Sequence, residues 1–301
     1  MEKPQLIINA DGYGLTAGTN RAIEECVRFG TVKSVSVNVN FPRAEELPRL
    51  VKAYPWLSVG CHLNPVVGDP VLPKEKVRSL LNAEGAFWYR EFDWKLASGR
   101  VDLAELRAEL FAQIDRCREL AGESFTHVDC HMAKHRLPRF YPIFLEACLH
   151  SGVGRARVHR YCLAGARRGR FATGLRYYMR HPHRLGVRVW NFRLRQKARK
   201  AGLALTDWSI ALAGTNGDGP SLPVWISLLA QVRPGFSELV VHPGYGDDEL
   251  RRISRYVGER DAERRILTSE AFKEALFSSV SLASYHDMPQ QARKEGRLWP
   301  Q

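Results

Sequence analysis

Asp11, His62, Asp129, His131 and His242 each stand where a short apolar run ends. Two neutral imidazoles suit zinc or another borderline divalent ion. A carboxylate beside such an ion can take a proton from water. A further histidine can protonate a leaving amine. Together these residue types make up the chemistry of metal-assisted hydrolysis of an amide or ester. No Gly-x-Ser-x-Gly elbow is present, which disfavours a serine hydrolase. No Gly-x-Gly-x-x-Gly follows a strand and no P-loop occurs, which disfavours dinucleotide or ATP binding.

These residues can meet only if the elements that carry them share an edge. Gln5–Asn9 is a buried strand that runs into the Gly-rich turn Asp11-Gly12-Tyr13-Gly14. Residues 16–29 have helical spacing, with Gly30 as the C-cap. Strands are expected over 32–39, 57–62, 126–131 and 237–242, with further short ones over 154–159 and 280–285. Helices are expected over 45–53, 140–151, 222–231, 247–257 and 269–275. Asp102-Leu-Ala-Glu105 reads as a capping box that opens a helix to about residue 121. Alternating strands and helices imply a mostly parallel sheet with crossover helices. Without a clear midpoint, the pattern suggests one (β/α) barrel, incomplete or distorted, over residues 1–301. In such folds the C-terminal strand edge carries the active site.

The chain has 301 residues, 45% of them hydrophobic and 26% charged, with a formal net charge of +13. That length can bury a full core without disulfide staples, and the apolar content argues against disorder. No apolar run is long enough for a membrane span, and the N-terminus lacks the features of a signal peptide. The expected location is therefore the cytoplasm. Six cysteines form no Cys-x-x-Cys pair, and Cys61 and Cys130 read as small core residues facing away from their neighbouring histidines. From Arg155 to Lys200 there are 15 Lys or Arg and no acid. Aromatic residues interleave, among them Tyr177, Tyr178 and Trp190; with Trp208 beyond, these are candidate sugar or lipid contacts. Residues 160–205 read as a basic helical insertion. It suits a solvated arm with a packed apolar face, or an anionic membrane surface or amphiphilic substrate. No recognition motif accompanies the charge, so nucleic acid is not the expected partner.

The motifs, taken in order, resemble the YdjC-like carbohydrate deacetylases, a family that includes chitooligosaccharide deacetylases and a hopanoid-biosynthesis branch. Asn9-Ala-Asp-Gly-Tyr-Gly14 is similar to its N-A-D-D-F-G opening. Gly30–Asn40 resembles its second strand. Gly60-Cys-His-Leu-Asn64 with Gly68-Asp-Pro70 resembles its G-x-H-L…G-x-P segment, and Thr126-His-Val-Asp-Cys-His131 its T-H-x-D-S-H segment. Glu238-Leu-Val-Val-His-Pro-Gly244 and Arg260–Ile266 resemble its late strand and closing helix. The resemblance implies a distorted (β/α) barrel that uses a divalent metal to remove acetyl groups from N-acetylated sugars. It implies His62 and His131 as metal ligands, Asp11 as general base and His242 as general acid. Zinc is the expected metal, with magnesium, nickel or cobalt as alternatives. Asp129, two residues before His131, is a candidate orienting residue. Asn64, Tyr13 and His135 are further candidates for substrate contact or orientation.

One position departs from the pattern. The family's second aspartate, a metal ligand, is Gly12 here. Three readings follow. Asp11 or Asp129 supplies the third ligand and a deacetylase persists; the metal is weak or absent and the chemistry differs; or the chain is an inactive relative that binds a sugar. The basic insertion leans the expected substrate toward a glycolipid or lipid-linked sugar, with peripheral contact at the inner face of a membrane. A homodimer is compatible with the sequence.

Overall fold

The computed structural model describes residues 3–160, 179, 182–210 and 220–290. Its strands are β1 (Gln5–Tyr13), β2 (Ser34–Val37), β3 (Ser58–Leu63), β4 (Phe125–Cys130), β5 (Trp208–Ile210), β6 (Phe236–Val241) and β7 (Ser281–Ala283). Its helices are α1 (Ala17–Phe29), α2 (Leu47–Ala53), α3 (Phe92–Ala97), α4 (Leu103–Ala121), α5 (Tyr141–Ser151), α6 (Pro182–Lys200), α7 (Leu222–Leu229), α8 (Asp248–Ile253), α9 (Gly258–Leu267) and α10 (Glu270–Ser279). The strands lie in the order β4-β3-β2-β1-β6-β5, all parallel, and β7 pairs with the start of β1. Parallel bridges Val128–Ala156 and Arg155–Ala204 continue the hydrogen bonding from β4 toward β5. The curled sheet is a half-barrel whose round these bridges extend, as the expected distorted (β/α) barrel requires.

Side-chain alternation divides this sheet into two chemistries. Val35, Val37, Val59, Cys61, Val128 and Cys130 join the main apolar core beneath the helices. Their neighbours on the other face are small or polar: Ser34, Ser36, Ser58, Gly60, His62, His127 and Asp129, all buried. Cys61 and Cys130 thus pack opposite the histidines that follow them, as expected. Ile7, Ala283, Tyr285 and Met288 form a second, smaller apolar cluster with Ala204. The interior of the curl is therefore polar above a small apolar floor, with the larger core outside it.

Local signals explain most element ends. Gly30, at φ 90°, closes α1 by donating to Cys26 and Val27 carbonyls. Asp102 caps α4 through Ala104 and Glu105 amides. The reciprocal half of the expected capping box is absent: Glu105 instead accepts from the Ser79 amide at 2.8 Å, so a tertiary contact takes that carboxylate. The helix expected over 247–257 stops at Ile253, and α9 starts afresh at Gly258. The strand expected over 154–159 is reduced to single bridges. No helix among the described residues is long and apolar enough to cross a membrane.

Candidate active site

Strand register brings the polar residues together. His62 on β3 lies level with Asp129 on β4, and Asp11 on β1 level with Ser36 on β2. The first pairing puts His62 Nδ1 2.7 Å from Asp129 Oδ1. Ser36 donates to the other Asp129 oxygen at 2.7 Å. In its uncharged form, with Nδ1–H given to Asp129, the His62 ring carries its lone pair on Nε2. That nitrogen lies 3.3 Å from His131 Nδ1.

Asp11 sits beside this pair. Its Oδ2 lies 3.9 Å from His62 Nδ1 and 4.0 Å from His242 Nε2. Asp11, His62 and Asp129 are all buried, whereas the His242 ring, just beyond the end of β6, is 37% exposed. Asn9 donates to Asp11 Oδ1 at 2.8 Å. A fully embedded guanidinium then ties the acids together. Arg157 grips Asp11 with two hydrogen bonds of 2.8 and 2.9 Å. It also reaches Asp129 at 2.6 Å and Glu238 of β6 at 2.7 Å. Glu238 Oε1 accepts from Tyr285 as well, while Oε2 has no partner. The Tyr285 ring stacks on His127 at 3.7 Å.

The charges follow from this packing. Burial pushes the Asp11 carboxyl up, but Arg157, with help from His62, outweighs it and holds the group below the usual carboxylate range. Asp129 is pushed up by burial and drawn further down by Arg157 and His62. Burial depresses His62, yet Asp129 and Asp11 raise it on balance. Among the described residues no carboxylate bonds His131; burial, then the neighbouring His62, lowers it to about 3. His242 is lowered to about 4, chiefly by burial and against the pull of Asp11. At neutral pH His131 and His242 are therefore uncharged, with lone pairs available.

The helices buttress the edge. Glu263 of α9 accepts the His242 amide and the Tyr256 hydroxyl, both at 2.5 Å, and burial raises its carboxyl to about 7. Arg260 donates to Tyr256 O at 3.0 Å and His242 O at 3.4 Å. A β-carbon at Gly12 would lie 3.2 Å from Arg260 Nη1. The space beside the missing family carboxylate is thus bounded by a guanidinium.

The remaining sequence candidates lie elsewhere. The Tyr13 ring is buried in the main core with its hydroxyl unpartnered. Asn64 is buried in the turn after β3, where its side chain contacts Asn38, Asn40 and Val67 and receives the Val66 and Val67 amides. His135 is buried against Phe144, 5.0 Å between rings. Trp190 donates to Arg136 O, and Trp208 lies between the guanidinium groups of Arg160 and Arg233. Tyr177 and Tyr178 fall outside the described residues. Sequence reasoning missed Arg157, Ser36, His127 and Tyr285, and gave no role to Glu238, Arg260 or Glu263. Only Arg157 left a usable trace: Arg155-Ala-Arg-Val158 alternates like a strand, which turns Arg157 to the polar side.

A metal ion has two sets of donors to choose from. Asp11, His62 and Asp129 offer ligand atoms within 4.8 Å of one another and could hold an ion. Arg157 already bonds the same two carboxylates, so an ion at that point competes with a guanidinium. The second choice uses the opposite nitrogen of His62. Two nitrogens in a tetrahedral zinc shell lie about 3.3 Å apart, given zinc–nitrogen bonds of about 2.0–2.1 Å. The His62 Nε2 to His131 Nδ1 separation matches that spacing. A carboxylate on the far nitrogen of one imidazole is the usual support for such a ligand. The donor chemistry fits a divalent ion, with Asp11, 3.9 Å from His62, as a carboxylate ligand that it would share with Arg157.

Comparison with known proteins gives the chain its relatives. The sequence profile of the YdjC-like protein family matches residues 5–278. A carbohydrate deacetylase from Thermoanaerobacter pseudethanolicus is 31% identical over 265 residues, 88% of this chain and 91% of that protein. A chitooligosaccharide deacetylase from Yersinia enterocolitica is 29% identical over 297 residues, 95% of this chain and 100% of that protein. The crystal structure of a candidate cellobiose-phosphate cleavage protein from Enterococcus faecalis superposes with a TM-score of 0.70. It is 25% identical and covers 95% of this chain and 98% of the other.

Proposed function

The chain belongs to the YdjC-like family, and from that premise we propose that it hydrolyses the acetamide of an N-acetylated sugar. The observation that supports this most is the Asp129–His62–His131 line, with Asp11 beside His62 and His242 beside Asp11. In this reading His62 Nε2, His131 Nδ1 and an Asp11 oxygen hold a divalent ion, for which zinc is the best match to the donors. Such an ion supplies Lewis acidity, drawing electron density from the acyl carbonyl and easing the loss of a proton from the attacking water.

The protein's own groups would manage the protons. Asp11, kept ionised by Arg157, takes one from the water as its oxygen bonds to the acyl carbon. His242 starts uncharged, so the proton it gives to the nitrogen is acquired within the same turnover, through Asp11. The 4.0 Å between Asp11 and His242 is too long for a hydrogen bond between them, so a proton passes from one to the other by way of a group bound beside both. The C–N bond breaks, giving acetate and a free amine. The atoms balance with water as the only co-reactant.

A second reading, an altered or inactive sugar binder, is favoured by one observation. Arg157 already neutralises Asp11 and Asp129, and no carboxylate stands at Gly12. Metal analysis and acetate release separate the two. We expect close to one divalent ion per chain, lost in His131→Ala, and acetate release from a soluble chitooligosaccharide. Asp11→Asn and His242→Ala should lower that release by about 100-fold or more, as loss of an acid–base group does. Sugar binding without metal or acetate would replace the hydrolase by the binder.

A further inference from the structure

α6 has two finished faces, and among the described residues only one of them is packed against the rest of the protein. On the inner face Asn191, Leu194, Arg195 and Ala198 are buried. Tyr141 donates to Leu194 O, and Arg195 donates to Val158 O and Thr206 O, so this side is hydrogen-bonded as well as packed. On the outer face Leu185, Val189 and Phe192 follow the i, i+4, i+7 spacing of one helix side. They are 50, 46 and 59% exposed. Val187, off this line, is exposed as well. A solvated arm needs no such row, because its outer face would be polar.

The flanks of the row are cationic. At 3.6 residues per turn, Arg193, Lys197 and Lys200 fall along one side of it and Arg199 along the other. All four are exposed, and the chain carries no acid anywhere from residue 155 to 200. Arg199 has a distant ion pair, 3.8 Å from Asp207. Apolar side chains in the middle with basic ones at the rim are the arrangement that lies in a membrane interface, where the former enter the acyl boundary and the latter meet headgroup phosphates. A nucleic acid would use the basic residues but would leave the Leu, Val and Phe row in water.

We propose that the outer face of α6, built on Leu185, Val189 and Phe192 with Arg193, Lys197 and Lys200 beside them, docks on an anionic lipid bilayer. The inner face of the same helix is fastened near the site: Trp190 donates to Arg136 O at 2.7 Å, and Arg136 ends the turn that begins at His131. Docking therefore sets the His131 edge close to the bilayer. Resting on the function proposed above, this identifies the substrate as an acetylated sugar borne on a lipid.

Sedimentation of the full-length protein with vesicles tests the surface independently of the chemistry. The probes are phosphatidylcholine vesicles with and without phosphatidylglycerol, at low and high salt. We expect the wild type to pellet with the anionic vesicles and to be released in part by salt, because exposed charges are screened beyond about 10 Å at 0.1 M. Phe192→Glu and Leu185→Glu should each lower the bound fraction by about tenfold, since each removes apolar area that enters the interface. Joint Arg193→Glu and Lys197→Glu should do the same. Acetate release from a soluble chitooligosaccharide should be unchanged in all of these variants, which also shows that they fold. Failure of the wild type to pellet, or undiminished pelleting of the variants, overturns the docking surface. Release from vesicles by duplex DNA, with Leu185→Glu and Phe192→Glu still binding that DNA, overturns it in favour of a nucleic-acid surface. Vesicle binding without acetate release from any acetylated sugar would leave the docking surface standing and remove the hydrolase.

Discussion

At residue 12 the backbone runs at φ +110°, a region that side chains with a β-carbon rarely adopt. A β-carbon there would also press on Arg260 Nη1 at 3.2 Å and Leu15 Cδ1 at 3.3 Å. The absent family carboxylate is thus built into the local backbone and its neighbour and is not a simple vacancy to be refilled. Gly12→Asp should lose about 1–3 kcal/mol of stability through backbone strain and should not tighten metal binding. Denaturant unfolding and a zinc titration by calorimetry measure the two effects. Unchanged stability with tighter zinc would show that the site had merely lost a ligand. The neighbouring residues were legible to different degrees. Asp11, His62, Asp129, His131 and His242 announce themselves by chemical type at strand ends. The pairing of Asp129 with His62 does not, because it depends on register between two strands 67 residues apart.

At the scale of elements, the polar interior works only if its strands leave room for large rings. Gly60 shows the constraint: a β-carbon there would lie 2.2 Å from His127 Nε2. The two residues are level across β3 and β4, and the His127 ring lies flat between this strand and Tyr285. Gly60→Ala should therefore cost about 1–3 kcal/mol, the range for forcing an extra methyl into a packed interior. His127→Ala in the same chain should recover part of that loss. A double-mutant cycle on unfolding free energies checks it, and simple additivity would show that the contact is not what requires glycine. The turn after β4 carries its own strain. Met132 and Ala133 stand at φ +52° and +51°, directly after His131. Non-glycine residues are held in that region where the surroundings over-determine them, often at functional sites. Nothing in the string His-Met-Ala-Lys forecasts it, since neither residue favours such a backbone.

At the scale of the whole molecule, Arg157 is the common partner of three strands. It bonds Asp11 of β1, Asp129 of β4 and Glu238 of β6 from the bridge segment that continues the sheet. Removing it leaves three buried carboxylates without their counter-ion. Arg157→Met should cost about 3–5 kcal/mol, as breaking a buried pair does. The pH dependence gives a sharper test. In the wild type the carboxyls of Asp11 and Asp129 titrate below their ordinary value of 3.8. Their contribution is therefore complete above that pH and is lost as the pH falls through the depressed values. In Arg157→Met burial is opposed only by the weaker pull of the neighbouring histidines, chiefly His62, and the same groups rise, so the penalty is largest at neutral pH and is relieved by protonation. The stability gap between the two proteins should narrow as the pH falls from 7 toward 4. Unfolding by urea across that range measures it, and a constant gap would show that Arg157 is held for its packing alone.

The alternation of strands and helices, the parallel sheet, the chemistry available at its edge and the basic character of the segment around α6 could all be read along the chain. Each of these is written in local pattern: apolar periodicity, caps, residue type and charge. Which polar residues meet depends instead on how distant segments pack. Tyr13, Asn64 and His135 have the right chemistry, yet packing turns them into the core or a loop. Arg157 was one of 15 basic residues in a run until sheet curvature aimed it at three acids. The outer face of α6 became visible only once its other face was seen to be buried. Contacts between residues far apart in sequence are set by register and burial, and those are properties of the folded chain as a whole.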